Sequence, residues 1–199
     1  MTIIQVFGDS IVYGAWDKEQ QGWVNRLRIY LDKKNNDDEI YNFGVSGDTS
    51  ADLLKRFDAE CRSSKTAIGY GVPLVILIAI GTNDSSLTNG QNRVGKEMFI
   101  SNLQELINAA RKYTNKIFFL EILPVEESKT SPESTNAFID EYNLVLHKIC
   151  KKNEVELIKT HDAFMKEHLS EDGLHPNSAG HELICNAVTQ TLVKRKIIG

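Results

Sequence analysis

The sequence predicts an α/β fold: three layers, with a five-stranded parallel sheet between helices. Three observations carry that reading. Short β-branched or apolar runs alternate with stretches of helical periodicity along the whole chain. The run Val72 to Ile80 is almost continuously apolar, as a central strand covered on both faces requires. The strand-like runs exit through Gly, Asn, Asp or Ser, residues that turn a chain sharply. At 199 residues the chain suits one domain, residues 1–199, with a sizeable core.

Taken in order, Thr2 to Val6 is a buried first strand, left through Phe7-Gly8-Asp9-Ser10. Gln20 to Leu31 sets Trp23, Leu27, Tyr30 and Leu31 at helical spacing, and the polar stretch Lys33 to Asp38 closes that helix as a solvated turn. Glu39 to Phe43 is the second strand. Its exit runs from Asn42 to Thr49 through Gly44 and Gly47, and Thr49 or Ser50 caps the helix through Leu53, Leu54 and Phe57. Strand three, Val72 to Ile80, ends in Gly81-Thr82-Asn83-Asp84.

A helix over Val94 to Tyr113 follows, then a fourth strand over Lys116 to Leu123. Ser131-Pro132 combines a capping serine with proline at the first helical position, which predicts a helix start; Phe138, Tyr142, Val145 and Ile149 form its inner stripe. Val155 to Ile158 is strand five. After the loop Asp172-Gly173-Leu174-His175-Pro176, Asn177 or Ser178 opens a last helix with Leu183, Ile184, Ala187, Val188, Thr191 and Leu192 inward. The strand order that fits is 2-1-3-4-5, flavodoxin-like, with its switch point between strands one and three. Ligands bind outside the carboxyl ends of such strands. Ser10 and Asn83 flank that point, and Gly47 lies one strand away.

Composition excludes some classes. A net charge of -4, with no basic stripe interleaved with aromatics, argues against a nucleic-acid binder. Lys194-Arg195-Lys196 ends a helix, where cations suit the dipole. Cys61, Cys150 and Cys185 are far apart and odd in number, so neither a zinc site nor a disulfide framework is expected. No leader-like basic and apolar start and no membrane-length apolar run are seen, so the expectation is a cytoplasmic protein without a membrane span. Oligomeric state is not readable.

The chemistry follows from the loops. A serine hydroxyl needs a base within hydrogen-bond reach to act as a nucleophile. His175 can be that base for Ser10, and Asp172, three residues earlier, can accept from the other imidazole nitrogen. An oxyanion needs donors already in place: the Ser10 N–H, the Gly47 N–H and the Asn83 side-chain amide can converge. Glycine at 47 allows close backbone approach.

Gly8-Asp9-Ser10, Gly47 in its Asn42-x-Gly-x-x-Gly setting, Gly81-x-Asn83-Asp84 and Asp172-x-x-His175-Pro176 resemble the four sequence blocks of the GDSL family, the SGNH hydrolases. They occur in the family's order from residue 7 to 176, with Gly22-Trp23 and Leu123-Pro124-Val125 as weaker echoes. The departure is Ile11 where the family's name has leucine, a volume-conserving change. The resemblance implies an SGNH-type fold and a serine esterase or lipase, with Ser10 as nucleophile, His175 as base, Asp172 as its partner, and Gly47 and Asn83 in the oxyanion hole. It implies a small-molecule ester, or a thioester, as substrate and needs no metal or cofactor. The polar loop Ser85 to Arg93, without an apolar lid, points to short acyl or acetyl groups.

Each residue alone has a plainer reading: Ser10 a helix cap, Gly47 a turn, Asn83 a loop brace, His175 and Asp172 parts of a turn. Asp9 and Asp84 read as loop braces, and His147, His161, His168 and His181 as surface or packing residues. Gly90 to Lys96 has phosphate-loop spacing, but Glu97 replaces the required Ser or Thr and no strand precedes it. Two rival functions use the same loops. One is a metal-dependent phosphoesterase built from Asp9, Asp84, Asp172 and His175, which leaves Ser10 idle. The other is a non-catalytic ester- or carbohydrate-binding module, since fold alone does not give function.

Overall fold

Strand β1 (Ile3–Gly8) is buried along its whole length, because both its faces carry helices. It belongs to a computed structural model that describes residues 1–34, 37–63 and 71–199. Part of the solvated turn expected at 33–38 lies outside the described residues. The elements that follow are α1 (Ser10–Tyr13), α2 (Trp23–Lys33), β2 (Glu39–Gly44), α3 (Ser50–Ser63), β3 (Leu74–Ala79), α4 (Thr82–Ser85), β4 (Leu87–Thr88) and β5 (Gln91–Asn92). Then come α5 (Lys96–Ala110), β6 (Ile117–Leu120), α6 (Asn136–Lys152), β7 (Glu156–Ile158) and α7 (Ser178–Lys194).

The main sheet is parallel, in the order β2-β1-β3-β6-β7, which is the expected 2-1-3-4-5 once the two-residue strands of the β4–β5 hairpin are set aside. Side chains alternate between its faces. Ile3, Phe7, Ile76, Ile78, Ile117 and Phe119 face one side and pack on α3, α5 and α6. Ile4, Val6, Val75, Leu77, Phe118 and Leu120 face the other and pack on α2 and α7. The three cysteines are buried and unbridged in this core.

Several boundaries differ from the sequence reading, two of them for reasons that the packing makes plain. The fourth main-sheet strand, expected over 116–123, pairs only over Ile117–Leu120, because its neighbour β7 is three residues long. The helix expected at Ser131-Pro132 begins at Asn136, with Thr135 as cap accepting the Phe138 N–H at 3.4 Å. Ser131 instead closes a turn with Ser134, and the Glu133 carbonyl is held by the Leu87 N–H. The Asn136 amide pairs with both backbone groups of Val125, at 2.9 and 3.0 Å, which anchors the true start.

The fold sets up the site through register. Gly44, Gly8 and Ala79 are partners across β2, β1 and β3, so three strands end level and three loops leave from one line. Behind them Arg56 of α3 donates to the Gly8 carbonyl at 2.9 Å, to the Phe43 carbonyl at 2.9 Å and to Asp48 Oδ2 at 2.7 Å, tying two strand ends to the β2 loop.

Candidate active site

Asp9, not Ser10, caps α1: its Oδ1 accepts the Ile11 N–H at 2.9 Å. The Ser10 side chain is therefore free of the capping task, and its Oγ lies 2.8 Å from His175 Nε2. On the far side of the ring, Nδ1 lies 2.6 Å from Asp172 Oδ2. A carboxylate only accepts, so Nδ1 carries the proton and Nε2 is left to accept from the serine hydroxyl. Asp172 is itself pinned, its Oδ1 accepting the Leu174 and His175 N–H groups at 3.0 Å each. Burial works against its charge, but the bonds from His175 and the backbone outweigh that and hold the carboxyl below its usual range.

The second group gathers opposite the histidine. Gly47 sits at φ +85°, a conformation that favours glycine, and nothing lies within 4 Å of where a Cβ would project. The N–H groups of Ser10 and Gly47 take no partner among the described residues. Asn83 starts in α4, where its Nδ2 donates to the Asp48 carbonyl at 3.0 Å and approaches Asp9 Oδ2 at 3.5 Å. Its Oδ1 accepts from Arg93 Nη1 at 3.0 Å. Two acceptors on one side and a guanidinium on the other leave one sensible amide orientation. Ser10, Gly47, Asn83 and His175 line a single open cleft with Trp16 and Leu174.

Asp9 and Asp84 lie beneath this cleft, in the interior. Asp84 accepts the Ser50 N–H and its hydroxyl, which locks the start of α3. Burial pushes Asp9 up to about 7, with the neighbouring Asp84 charge adding to the rise, and burial pushes Asp84 up to about 6 against the bonds from Ser50. Both brace loops, and neither approaches His175 as a set. Among the described residues no group of three or more His, Cys, Asp or Glu side chains converges as a metal site would require.

The remaining histidines fall where packing puts them. His181 is fully buried, its Nδ1 accepting the Trp23 N–H at 3.2 Å and its Nε2 donating to the Ala15 carbonyl at 3.0 Å. His147 pairs with Glu121 at 2.7 Å. The sequence reading missed Arg93, Arg56 and Trp16. No motif spacing marks the arginines, since each acts on loops distant in the chain. Trp16 carried a signal, an aromatic in a short loop just past Ser10.

A three-layer α/β/α fold thus carries a serine, a histidine and a carboxylate in series at its strand ends. The chain belongs to the GDSL-like lipase/acylhydrolase family, whose model matches residues 6–183. It is 24% identical to an arylesterase of Vibrio mimicus, over 95% of this chain and 87% of that protein. It is 26% identical to esterase TesA of Pseudomonas aeruginosa, over 94% and 86% of the two chains. A third relative, the uncharacterized lipoprotein YqeF of Bacillus subtilis, is 34% identical over 62% of this chain, and the match spans about half of that protein's length, 49%. Among solved structures, the lipase/acylhydrolase of Enterococcus faecalis superposes with a TM-score of 0.82 at 25% identity, covering 98% of this chain and 97% of that one. The acetylxylan esterase Axe2 of Geobacillus stearothermophilus shares the fold, with a TM-score of 0.78 at 19% identity over 95% and 93% of the chains. Among the described residues no helix is long and apolar enough to cross a membrane.

Proposed function

We propose that the protein hydrolyses carboxylic esters of short acyl groups through an acyl-enzyme on Ser10. The observation that carries this is the unbroken relay from Ser10 Oγ through the His175 ring to Asp172, at 2.8 and 2.6 Å. His175 Nε2 takes the hydroxyl proton as Oγ attacks the ester carbonyl, and Asp172 stabilises the imidazolium that forms. The negative charge on the carbonyl oxygen is met by the Ser10 and Gly47 N–H groups and by Asn83 Nδ2, the hydrogen now weakly held by Asp9 turning to it. Collapse expels the alcohol, which leaves with the proton returned by His175. Water then repeats the sequence against the acyl-serine and releases the acid.

The acyl preference rests on one wall of the cleft, where Ser46, Gly47, Thr82 and Asn83 are small or polar, Ile11, Ala15, Trp16 and Leu174 completing the lining. The test is p-nitrophenol release from acetyl, butyryl, octanoyl and palmitoyl esters by the wild type and Ser10→Ala, each with and without EDTA. Loss of the serine should lower turnover on the order of 10⁴-fold or more, with rates highest on the short esters and untouched by EDTA. Equal activity in Ser10→Ala would remove the serine from the mechanism, and EDTA sensitivity would bring the metal phosphoesterase reading back.

A further inference from the structure

The loop between α1 and α2, residues 14–22, closes on itself against the cleft. Its ends meet at Gly14 and Gly22, so tightly that a Cβ on Gly22 would fall 2.3 Å from the Gly14 Cα. Inside it the Asp17 carboxylate accepts the Glu19, Gln20 and Gly22 N–H groups and is closed off by Arg26. At the cleft end the Ser10 carbonyl accepts the Gly14 and Ala15 N–H groups at 3.0 Å each. The next residue, Trp16, lays its indole nearly parallel to the His175 ring, at 26° with centroids 6.4 Å apart. The Ala15–Trp16 unit thus touches the backbone of Ser10 on one side and the ring of His175 on the other.

That unit is held under strain. Trp16 sits at φ +70°, a conformation that a bulky side chain keeps only where the surroundings over-determine it. Asp17 fixes the chain after it. Before it, the Ala15 carbonyl accepts from His181 Nε2 at 3.0 Å, and Nδ1 of the same ring accepts the Trp23 N–H at 3.2 Å. His181 lies in the first turn of α7 and is fully buried. Trp23 is the first residue of α2, whose cap Gly22 has no side-chain acceptor. The ring therefore takes one of the N–H groups that a helix start leaves free. The bonds also fix its proton: Nδ1 accepts one and so carries none, while Nε2 donates its own. Burial holds the ring below its ordinary range, Arg26 and His175 adding to that, the Ala15 carbonyl and Asp17 opposing it. It lies at the N-termini of two helices, where positive charge is disfavoured.

We propose that His181 is a positioning residue for the reaction: with its proton on Nε2 it holds the Ala15–Trp16 unit, and through that unit the Ser10 backbone and the His175 ring, in the arrangement that brings Oγ to the base. It touches no substrate and passes no proton. Its effect on rate rests on the serine mechanism; its hold on the loop rests on the two hydrogen bonds alone. The 2.8 Å contact between Ser10 Oγ and His175 Nε2 leaves little latitude. A misplacement of about 1 Å caused by a change far from the chemistry can cost on the order of 10²-fold.

The test compares His181→Leu, which keeps much of the volume and removes both bonds, with His181→Gln, whose amide can still reach the Ala15 carbonyl. On p-nitrophenyl acetate, His181→Leu should lose roughly 10- to 10²-fold in kcat with KM little changed, and His181→Gln should recover part of that. Labelling of Ser10 by diisopropyl fluorophosphate should slow in parallel, since attack on phosphorus needs the same hydroxyl and ring aligned. Both are read at a temperature where circular dichroism shows each variant folded. A lower thermal midpoint with kcat and labelling unchanged would make His181 a packing residue and overturn the proposal. So would a loss in His181→Gln as large as in His181→Leu. Nitrogen-15 spectra of the wild-type imidazoles decide the matter even if neither variant folds: at pH 7 His181 should show a bare Nδ1 and a protonated Nε2. A proton on Nδ1 overturns the assignment. If Ser10→Ala still turns over ester, the serine mechanism fails and the effect of His181 on rate with it, while the nitrogen spectra still decide whether the ring holds the loop.

Discussion

Arg93 holds Asn83 from the solvent side of the cleft: its Nη1 donates to Asn83 Oδ1 at 3.0 Å and its Nη2 to the Gly47 carbonyl at 2.8 Å. One guanidinium thus orients the two groups proposed to meet the oxyanion. Without it the Asn83 amide can flip, presenting an oxygen where a donor is needed. Removal of an oxyanion donor outright typically costs about 10²–10³-fold in kcat, so loosening one should cost less. Arg93→Met is expected to lower kcat on p-nitrophenyl acetate by roughly 10-fold with KM little changed. An unchanged kcat would show that Asp48 and Asp9 suffice to hold the amide.

Asp172 fixes the tautomer of His175. In Asp172→Asn the amide can donate to Nδ1, placing the ring proton on Nε2, where it can no longer accept from Ser10. A fall in kcat on the order of 10⁴-fold is expected, with the fold and thermal midpoint nearly retained. A loss of less than about tenfold would mean that His175 finds its tautomer without help.

Asp9 makes stability depend on pH. Its folded value is raised to about 7 against an ordinary 3.8, so between those values the folded protein keeps a proton that the unfolded chain has released. Stability from this group therefore falls as pH rises through that window, and Asp84 acts in the same direction. Asp9→Asn keeps the acceptor for the Ile11 N–H without the charge. By denaturant unfolding it should exceed the wild type at pH 8 by on the order of 2 kcal/mol, with the gap closing toward pH 4. A wild type more stable at pH 8 would contradict the assignment.

Arg26 neutralises a buried carboxylate. Its Nε and Nη2 reach Asp17 at 3.0 and 3.2 Å, and Nη2 also donates to Ser178 at the start of α7. Burial alone would raise Asp17, but the Arg26 and backbone bonds win and its carboxyl is held far below the usual range. The stability that this adds is present at neutral pH and is lost as pH falls below about 4. Arg26→Ala strands the charge and should cost about 3 kcal/mol at pH 7, the deficit narrowing in acid as Asp17 protonates. Calorimetry at the two pH values checks both size and trend.

Much of the fold could be read along the chain because its strands are short, apolar and punctuated by glycine and polar exits. The continuous apolarity that marks β3 and β6 also hides their ends. Val72 and Ile80 flank the β3 ladder, and Ile122 and Leu123 carry the apolar run of β6 past Glu121, so the strands read longer than their ladders. The β4–β5 hairpin went unseen because two-residue strands carry no periodicity. The helix start misplaced to Ser131 shows a local cap signal losing to tertiary bonds, those of Asn136 and Leu87.

By itself the sequence determined the layered class, the strand order and the polar residues at the strand ends, because hydrophobic period and turn chemistry are local and each strand must bury both faces. Only the tertiary structure decided which of those residues meet. Ser10 and His175 are 165 positions apart, and their 2.8 Å contact exists because β1 and the loop before α7 come to the same sheet edge. Arg93 over Asn83 and Trp16 beside His175 are of the same kind. Their positions follow from how loops pack across the carboxyl edge, a many-body balance of burial, strain and hydrogen bonding that no spacing along the chain records.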